Sequence, residues 1–136
     1  LEFRRVLFRS LRLKHITLLS LFIFINGCGE KRKNIYEEID FSTLPKSVIS
    51  NGEKIYMRAC FACHNTGREG ATLLSETRQW NRTAKKGIEI LYQNVLQGYT
   101  GMSGVMPPKG NCWDCTEDDI RQAILYIYHQ VKLAKK

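Results

Sequence analysis

Apolar side chains recur with a helical period in the second half of the chain. Ile88, Leu91, Tyr92 and Val95 fall at positions i, i+3, i+4 and i+7, which is the spacing of one helix face. Gly98 comes three residues later, where a glycine typically ends a helix. The pattern therefore predicts an amphipathic helix that stops at Gly98.

A second apolar stripe predicts the last helix of the chain. Thr116 is a good N-cap residue, and the three acidic residues after it place negative charge in the first turn, where the helix dipole favours it. The members of the stripe are Ile120, Ala123, Ile124, Ile127 and Val131. One continuous apolar face over this length indicates a helix packed on the core.

Two further helices are indicated earlier in the chain. Ser50 followed by Glu53 has the form of a capping box, which predicts a helix running through Tyr56 toward Cys60. A weaker signal covers Glu76–Lys85, and glycine-rich loops such as GYTGMSGVMPPKGN separate the helices. No segment alternates apolar and polar residues as a strand does. We therefore predict a small all-α domain over residues 50–136.

The N-terminal part of the chain has the pattern of an export signal. Arg12 and Lys14 precede the apolar run Ile16–Ile25, which is about half the length needed to span a bilayer. Residues 1–27 are therefore expected to be a signal peptide. Residues 1–10 belong either to the natural chain or to a cloned fragment, so the fold is read without them.

The end of this leader carries a more specific signal. The sequence INGC at residues 25–28 resembles the bacterial lipoprotein box, in which the cysteine receives the lipid. The resemblance implies that Cys28 is acylated and holds the protein at a membrane surface. Residues 28–49 are polar and mixed in charge, and we expect them to serve as anchor and tether.

Charge excludes one class of function. The whole chain has a formal net charge of +8, but residues 1–27 carry five basic residues and one acidic residue, so half of this charge belongs to the leader. The remaining charge is small and is not gathered in one stripe. Nucleic acid binding is therefore not expected.

The sequence CFACH at residues 60–64 carries the chemistry. A CxxCH motif is the attachment signature of a c-type haem. Cys60 and Cys63 lie on one helical turn, where each thiol can add to a vinyl group, and His64 is then placed to ligate the iron from one face. The motif predicts one covalently bound haem c.

An iron that only carries electrons needs a sixth ligand, and a thioether sulfur suits this role because it raises the reduction potential. Met57 lies on the same helix as the cysteines and cannot reach the opposite face. Met102 and Met106 both lie in the loop after Gly98. The spacing alone leaves both of them as candidates.

The segments GEKIYMRACFACH and MPPKGNCWDCTEDDIRQAILYI resemble the class I c-type cytochromes, and are similar to the short bacterial cytochrome c5 type. The resemblance spans residues 50–128. It implies a small all-α fold of three to five helices around one haem, with Met106 as the distal ligand. It also implies that Gly52 and Tyr56 line a crossing of the first and last helices, and that the Trp80 indole N–H reaches a haem propionate.

This chain departs from the family pattern at one position. The family has a proline about eight residues after the histidine, whose carbonyl accepts the histidine Nδ1–H, and here Ala71-Thr72-Leu73 stand in its place. Any backbone carbonyl can accept this hydrogen bond. We therefore keep His64 as the proximal ligand.

Cys112 and Cys115 form a second CxxC pair with no histidine after it, so they are not a second haem site. In an exported protein a disulfide between them is expected, as the cytochrome resemblance also implies. This bond would join the Met106 loop to the last helix. A reactive dithiol is the alternative that remains open.

The predicted function is one-electron transfer between redox proteins at the membrane or in the bacterial periplasm, by a carrier that is not an enzyme. One alternative is a zinc module that uses Cys60, Cys63, Cys112 and Cys115, although its pairs are 48 residues apart along the chain. Another is a haem enzyme or sensor with an open distal site. His129 is expected at the surface. Lys85, Lys86 and Lys109 either steer an acidic partner or only solubilise the domain.

Overall fold

The computed structural model describes residues 33–134 of the chain. The signal peptide predicted at residues 1–27 and the lipid attachment predicted at Cys28 lie outside the described residues. Within residues 33–134, none of the helices is both long enough and apolar enough to cross a bilayer.

Helices make up most of this part of the chain, which confirms the predicted all-α class. The α-helices are α1 (Ile35–Glu38), α2 (Lys46–Ile55), α3 (Phe61–His64), α4 (Thr77–Thr83), α5 (Gly87–Gln97) and α6 (Glu117–Leu133). A π-helical turn covers Tyr56–Cys60, and 3-10 turns cover Arg68–Gly70, Ala84–Lys86 and Pro108–Asn111. The strands are β1 (Tyr99–Thr100) and β2 (Val105–Met106).

The tether predicted over residues 28–49 is wrong from Asn34 onward, because this part belongs to the folded domain. Ile35 is fully buried and Phe41 is 3% exposed, and both belong to the main core cluster. Asn34 caps α1 with a complete capping box, and the Glu38 carboxylate accepts the Ile88 N–H at 2.7 Å, which attaches α1 to the start of α5. The sequence pattern did not predict this helix because α1 is a single turn and its apolar residues alternate irregularly with charged ones.

Helix α2 begins five residues earlier than predicted. Pro45 is its N-cap, with φ at −57°, and makes no side-chain capping bond. Ser50 lies inside the helix, so the predicted capping box is wrong. Proline favours a helix start through its fixed φ, whereas Ser-x-x-Glu inside a helix only resembles a cap.

The crossing of α2 and α6 agrees with the expected glycine and tyrosine face. A Cβ on Gly52 would overlap the Gln122 carbonyl oxygen and lie 2.9 Å from the Tyr126 Cβ, so only glycine allows this approach. Tyr56 is buried against Tyr126, with ring centroids 5.4 Å apart. It shares a core cluster with Ile127, while Ile124 belongs to the other cluster.

Helix α5 ends and helix α6 begins at the positions predicted for them. Gly98, with φ at 84°, follows the last residue of α5. The Thr116 side chain accepts the Asp119 N–H, and the Asp119 side chain accepts the Thr116 N–H, so α6 starts with a full capping box. The weaker helix predicted at Glu76–Lys85 is present as α4 and the 3-10 turn after it.

The sequence did not predict the small β-hairpin between α5 and α6. Strands β1 and β2 are antiparallel, with Tyr99 opposite Met106 and Thr100 opposite Val105. Two residues per strand are too few to produce an alternating pattern. The hairpin matters because it carries Met106.

Candidate functional site

The CFACH motif starts at the last residue of a π-helical turn, which is wider than a regular α-helical turn. The N–H of Phe61 donates to the carbonyl of Tyr56, five residues back, and α3 then carries the rest of the motif. A π-helical turn inside a helix often marks a functional site. Here it sets the position of Cys60 relative to α2.

The two cysteines of the motif are unpaired and differ in burial. Cys60 is buried and Cys63 is partly exposed. Burial, with a smaller contribution from Cys63, raises the pKa of the Cys60 thiol to about 11. Cys60 is therefore a neutral thiol at physiological pH.

The zinc alternative fails on the arrangement of ligands. In residues 33–134, the one group of three potential metal ligands within 4.8 Å of each other is Cys112, Asp114 and Cys115. Cys112 and Cys115 are joined in a disulfide, as the resemblance implies, and their sulfurs are not available as thiolates. The four cysteines do not form one site.

A backbone carbonyl orients the imidazole ring of His64. Its Nδ1 lies 2.8 Å from the carbonyl oxygen of Thr72, in the segment that stands where the family has a proline. The backbone N–H of Leu74 donates to the His64 carbonyl at 2.8 Å and fixes the same loop. Because Nδ1–H donates to Thr72, the lone pair on Nε2 is left for a metal.

Trp80 lies beside the histidine but uses its N–H differently from the expectation. Its ring centroid is 5.3 Å from that of His64. Its Nε1–H donates to the Leu73 carbonyl at 2.8 Å, in the loop that also orients His64. In this structure Trp80 therefore supports the proximal loop, and a propionate would have to compete with Leu73 for the N–H.

The three methionines lie in different surroundings. Met57 and Met102 are exposed, and the Met102 side chain is entirely in solvent. Met106 is partly buried on β2 and is followed by Pro107 and Pro108. A Cβ on Gly98 would lie 2.9 Å from the Met106 carbonyl oxygen, so a glycine at the end of α5 lets the hairpin pass close to it.

Two glycines that the sequence reading did not single out join the hairpin to the loop after His64. A Cβ on Gly70 would overlap the Ser103 carbonyl oxygen, and a Cβ on Gly104 would overlap the carbonyl oxygen of Glu69. The backbones of the two loops therefore touch directly. The signal available in the sequence was the density of glycines in residues 98–111.

Arg58 was also missed, and it joins the CFACH segment to the second cysteine pair. Its Nη2 lies 2.8 Å from the sulfurs of both Cys112 and Cys115. Its Nη1 lies 3.0 Å from the carboxylate of Asp114. No sequence motif predicts this contact, because Arg58 is more than 50 positions away from its partners along the chain.

The three lysines that either steer a partner or solubilise the domain differ in their contacts. The Lys109 Nζ donates to the Cys115 carbonyl at 3.0 Å, so this lysine braces the disulfide loop. The Lys86 Nζ lies 4.4 Å from the centroid of the Tyr99 ring. Lys85 is exposed. Two of the three lysines thus have structural contacts.

His129 is not the surface residue that was expected. It is partly buried, and its Nδ1 is a buried atom without a hydrogen-bond partner in residues 33–134. Tyr128 and Val131, which lie close to it along α6, are buried in the core. The sequence predicted a surface position because His129 is not part of the apolar stripe of α6, but the buried face of this helix is wider than that stripe.

The donor set fits a covalently attached haem. Cys60 and Cys63 are unpaired thiols one helical turn apart, Cys60 is neutral because of its burial, and His64 presents an unused Nε2. Trp80 adds an aromatic wall beside the histidine. These are the groups that hold such a cofactor.

Comparisons with known proteins find similarity to cytochromes. The family model described as cytochrome C oxidase, cbb3-type, subunit III matches residues 47–127. The chain is similar to cytochrome c-555 of Chlorobaculum thiosulfatiphilum, with 32% identity over 81 residues that cover 60% of this chain and 94% of that protein. It is also similar to cytochrome c5 of Azotobacter vinelandii, with 34% identity over 76 residues that cover 54% and 87% of the two chains.

Proposed function

This chain belongs to the family of small class I c-type cytochromes, and from that premise we propose that it shuttles single electrons with His64 and Met106 as axial ligands. The family carries one haem c, bound covalently here through Cys60 and Cys63, and its members are electron carriers rather than enzymes. When bound, the haem iron accepts and returns one electron by cycling between ferric and ferrous states.

The observation that carries the proposal is the hydrogen bond between His64 and Thr72. It fixes the tautomer that leaves Nε2 as a ligand, and it holds the imidazole ring in one orientation. The Leu74 N–H and the Trp80 N–H tie the same loop at two more points. A ligand held in this way moves little when the iron changes charge.

Met106 is proposed as the distal ligand because the fold restrains it and leaves Met102 in solvent. Pairing with Tyr99 and the two prolines after it limit the backbone of Met106. Met102 lies in the turn that connects β1 and β2, with its side chain in solvent. A ligand on a restrained segment stays bound in both oxidation states.

The same hairpin supplies a surface for a redox partner. Tyr99, Met102 and Val105 are exposed apolar side chains on it, and Lys86 covers the Tyr99 ring. We propose that a partner docks here through an apolar patch with acidic groups at its edge. The alternative for Lys85 and Lys86 is that they only solubilise the domain.

Visible spectroscopy tests the cofactor. Protein produced with haem-maturation machinery is expected to keep all of its haem through acid–acetone extraction, because Cys60 and Cys63 hold it by thioether bonds. The Cys60→Ala, Cys63→Ala double variant is the matched control and should release its haem. Extractable haem in the natural protein, or none at all, would contradict the assignment.

We further propose export to the periplasm and anchoring through lipid on Cys28. The leader pattern supports this, and so does the disulfide, which needs an oxidising compartment. A carrier anchored in this way would serve partners at the membrane surface.

Fractionation of cells tests the anchor. The natural protein is expected in the membrane fraction, and a Cys28→Ala variant that carries a cleavable secretory signal is expected in the soluble periplasmic fraction, with an unchanged haem spectrum. Recovery of both proteins in the same fraction would show that Cys28 is not the anchor.

A further inference from the structure

The disulfide between Cys112 and Cys115 is in contact with a cation. The guanidinium of Arg58 places Nη2 2.8 Å from each of the two sulfurs. Arg58 reaches the sulfurs from the π-helical turn, and its Nη1 also forms an ion pair with Asp114 at 3.0 Å, which competes for its positive charge. A structural disulfide does not need this partner.

The chemistry of sulfur makes this contact unequal between the two redox states. A neutral disulfide sulfur is a weak hydrogen-bond acceptor, so it gains little from a guanidinium. A thiolate carries a full negative charge and is stabilised by an adjacent arginine or lysine. The arrangement is therefore complementary to the reduced pair more than to the disulfide.

The charges around the pair favour a thiolate on Cys115. Lys109 brings a second cation to the same loop, since its Nζ lies 3.0 Å from the backbone carbonyl oxygen of Cys115. Asp114 lies on the other side, with a carboxylate oxygen 3.6 Å from the Cys112 sulfur. The first turn of α6, directly after Cys115, carries three acidic residues, of which Asp119 is bound to Thr116.

The surroundings of the two sulfurs also favour attack by an external thiolate on Cys112, with Cys115 as the leaving group. Both cysteines are buried, at 5% and 3% exposure. A groove of about 210 Å³ opens beside them, and its lining includes Arg58, Cys112 and Asp114 but not Cys115. An external thiolate would reach Cys112, and Cys115 would be the leaving group.

We propose that Cys112 and Cys115 form a second redox centre, a dithiol–disulfide pair that exchanges with an external dithiol and whose reduced form is stabilised by Arg58. A thiolate of the external dithiol attacks the Cys112 sulfur, the bond between Cys112 and Cys115 breaks, and Cys115 leaves as a thiolate beside Arg58. The second thiol of the reductant then displaces Cys112, which takes up a proton. Two electrons pass to the pair, the reductant becomes a disulfide, and one proton is released to solvent.

Equilibration with dithiothreitol tests the proposal. The holoprotein, kept ferrous with ascorbate, is equilibrated in buffers of reduced and oxidised dithiothreitol, and free thiols are alkylated and counted by mass. Cys60 and Cys63 are not counted, because they are thioethers in the holoprotein. At about pH 8, Arg58→Met is expected to shift the equilibrium toward the disulfide about tenfold, because an opposite charge within a few ångströms changes thiolate stability by at least that factor.

The dependence on pH separates a charge effect from a packing effect. Arg58 stabilises the thiolate and not the thiol. The dithiol–disulfide equilibrium constants of Arg58→Met and the natural protein should therefore become more similar toward about pH 5, where both thiols are protonated. A shift that is the same at both pH values, or smaller than twofold at the higher one, would overturn the proposal.

Two further variants keep the test decisive if Arg58→Met folds poorly. Asp114→Asn removes the carboxylate that competes for Arg58, at an exposed position, and is expected to shift the equilibrium toward the dithiol. Arg121→Met removes an arginine that pairs with Glu89 away from the sulfurs, and is expected to change nothing. A shift toward the disulfide in Asp114→Asn, or no shift, would also overturn the proposal.

Discussion

Replacing Met106 with alanine is expected to abolish the weak long-wavelength sulfur–iron band of the oxidised protein and to lower the reduction potential by on the order of 0.1 V or more. A thioether is a soft ligand that favours ferrous iron, so its loss favours the ferric state. Absorption spectroscopy and potentiometric titration measure the two effects.

Met102→Ala is the matched control for this experiment. The two methionines lie four positions apart in the same hairpin, but the Met102 side chain is in solvent and Met106 is partly buried. We expect the control to keep both the band and the potential. If Met102→Ala loses the band and Met106→Ala keeps it, the assignment of the distal ligand is wrong.

A third variant distinguishes loss of a ligand from loss of the fold. Met106→His offers the iron a nitrogen in place of the sulfur, and should keep a six-coordinate spectrum while the potential still falls. Far-ultraviolet circular dichroism of all three variants should match that of the natural protein. A helical content that collapses in Met106→Ala alone would mean that Met106 acts on the fold instead.

The parts of the fold that the sequence predicted are those where local chemistry decides the structure. Thr116 and Asp119 form the capping box of α6 in agreement with the expected N-cap, and Gly98 ends α5. The cysteines and histidine of CFACH needed only one helical turn to come together. In each of these cases the partners are within a few residues, and spacing is sufficient.

The parts that it missed depend on contacts between distant segments. Ile35 is buried only because α5 and α6 provide the core around it, and the four-residue helix that carries it has no period of its own. Arg58 finds the disulfide across more than 50 residues. Thr72 illustrates the intermediate case, since a carbonyl was expected near it but the particular residue was fixed by the loop.

Gly52→Ala is expected to destabilise the protein by about 2 kcal/mol, although alanine is the better helix former. Within α2 the exchange should gain about 1 kcal/mol from helix propensity alone. The added Cβ, however, would overlap the Gln122 carbonyl oxygen and press on the Tyr126 Cβ. Overpacking of this kind costs about 1–3 kcal/mol or more, and here the obstacle is backbone of α6 that cannot rotate away.

Whether Gly52→Ala lowers or raises the stability shows whether packing or helix propensity dominates at this position. Ser50→Ala supplies the control. Ser50 is exposed on the same helix, so alanine there should gain a few tenths of a kcal/mol. If Ser50 were the N-cap, the same change would cost about 1 kcal/mol. Thermal unfolding of the two holoproteins should therefore move in opposite directions, with Gly52→Ala lowering the midpoint by roughly 10 °C. A midpoint that rises in Gly52→Ala would mean that α2 and α6 do not cross at Gly52, and that the segment carrying Cys60 and His64 is held by other contacts.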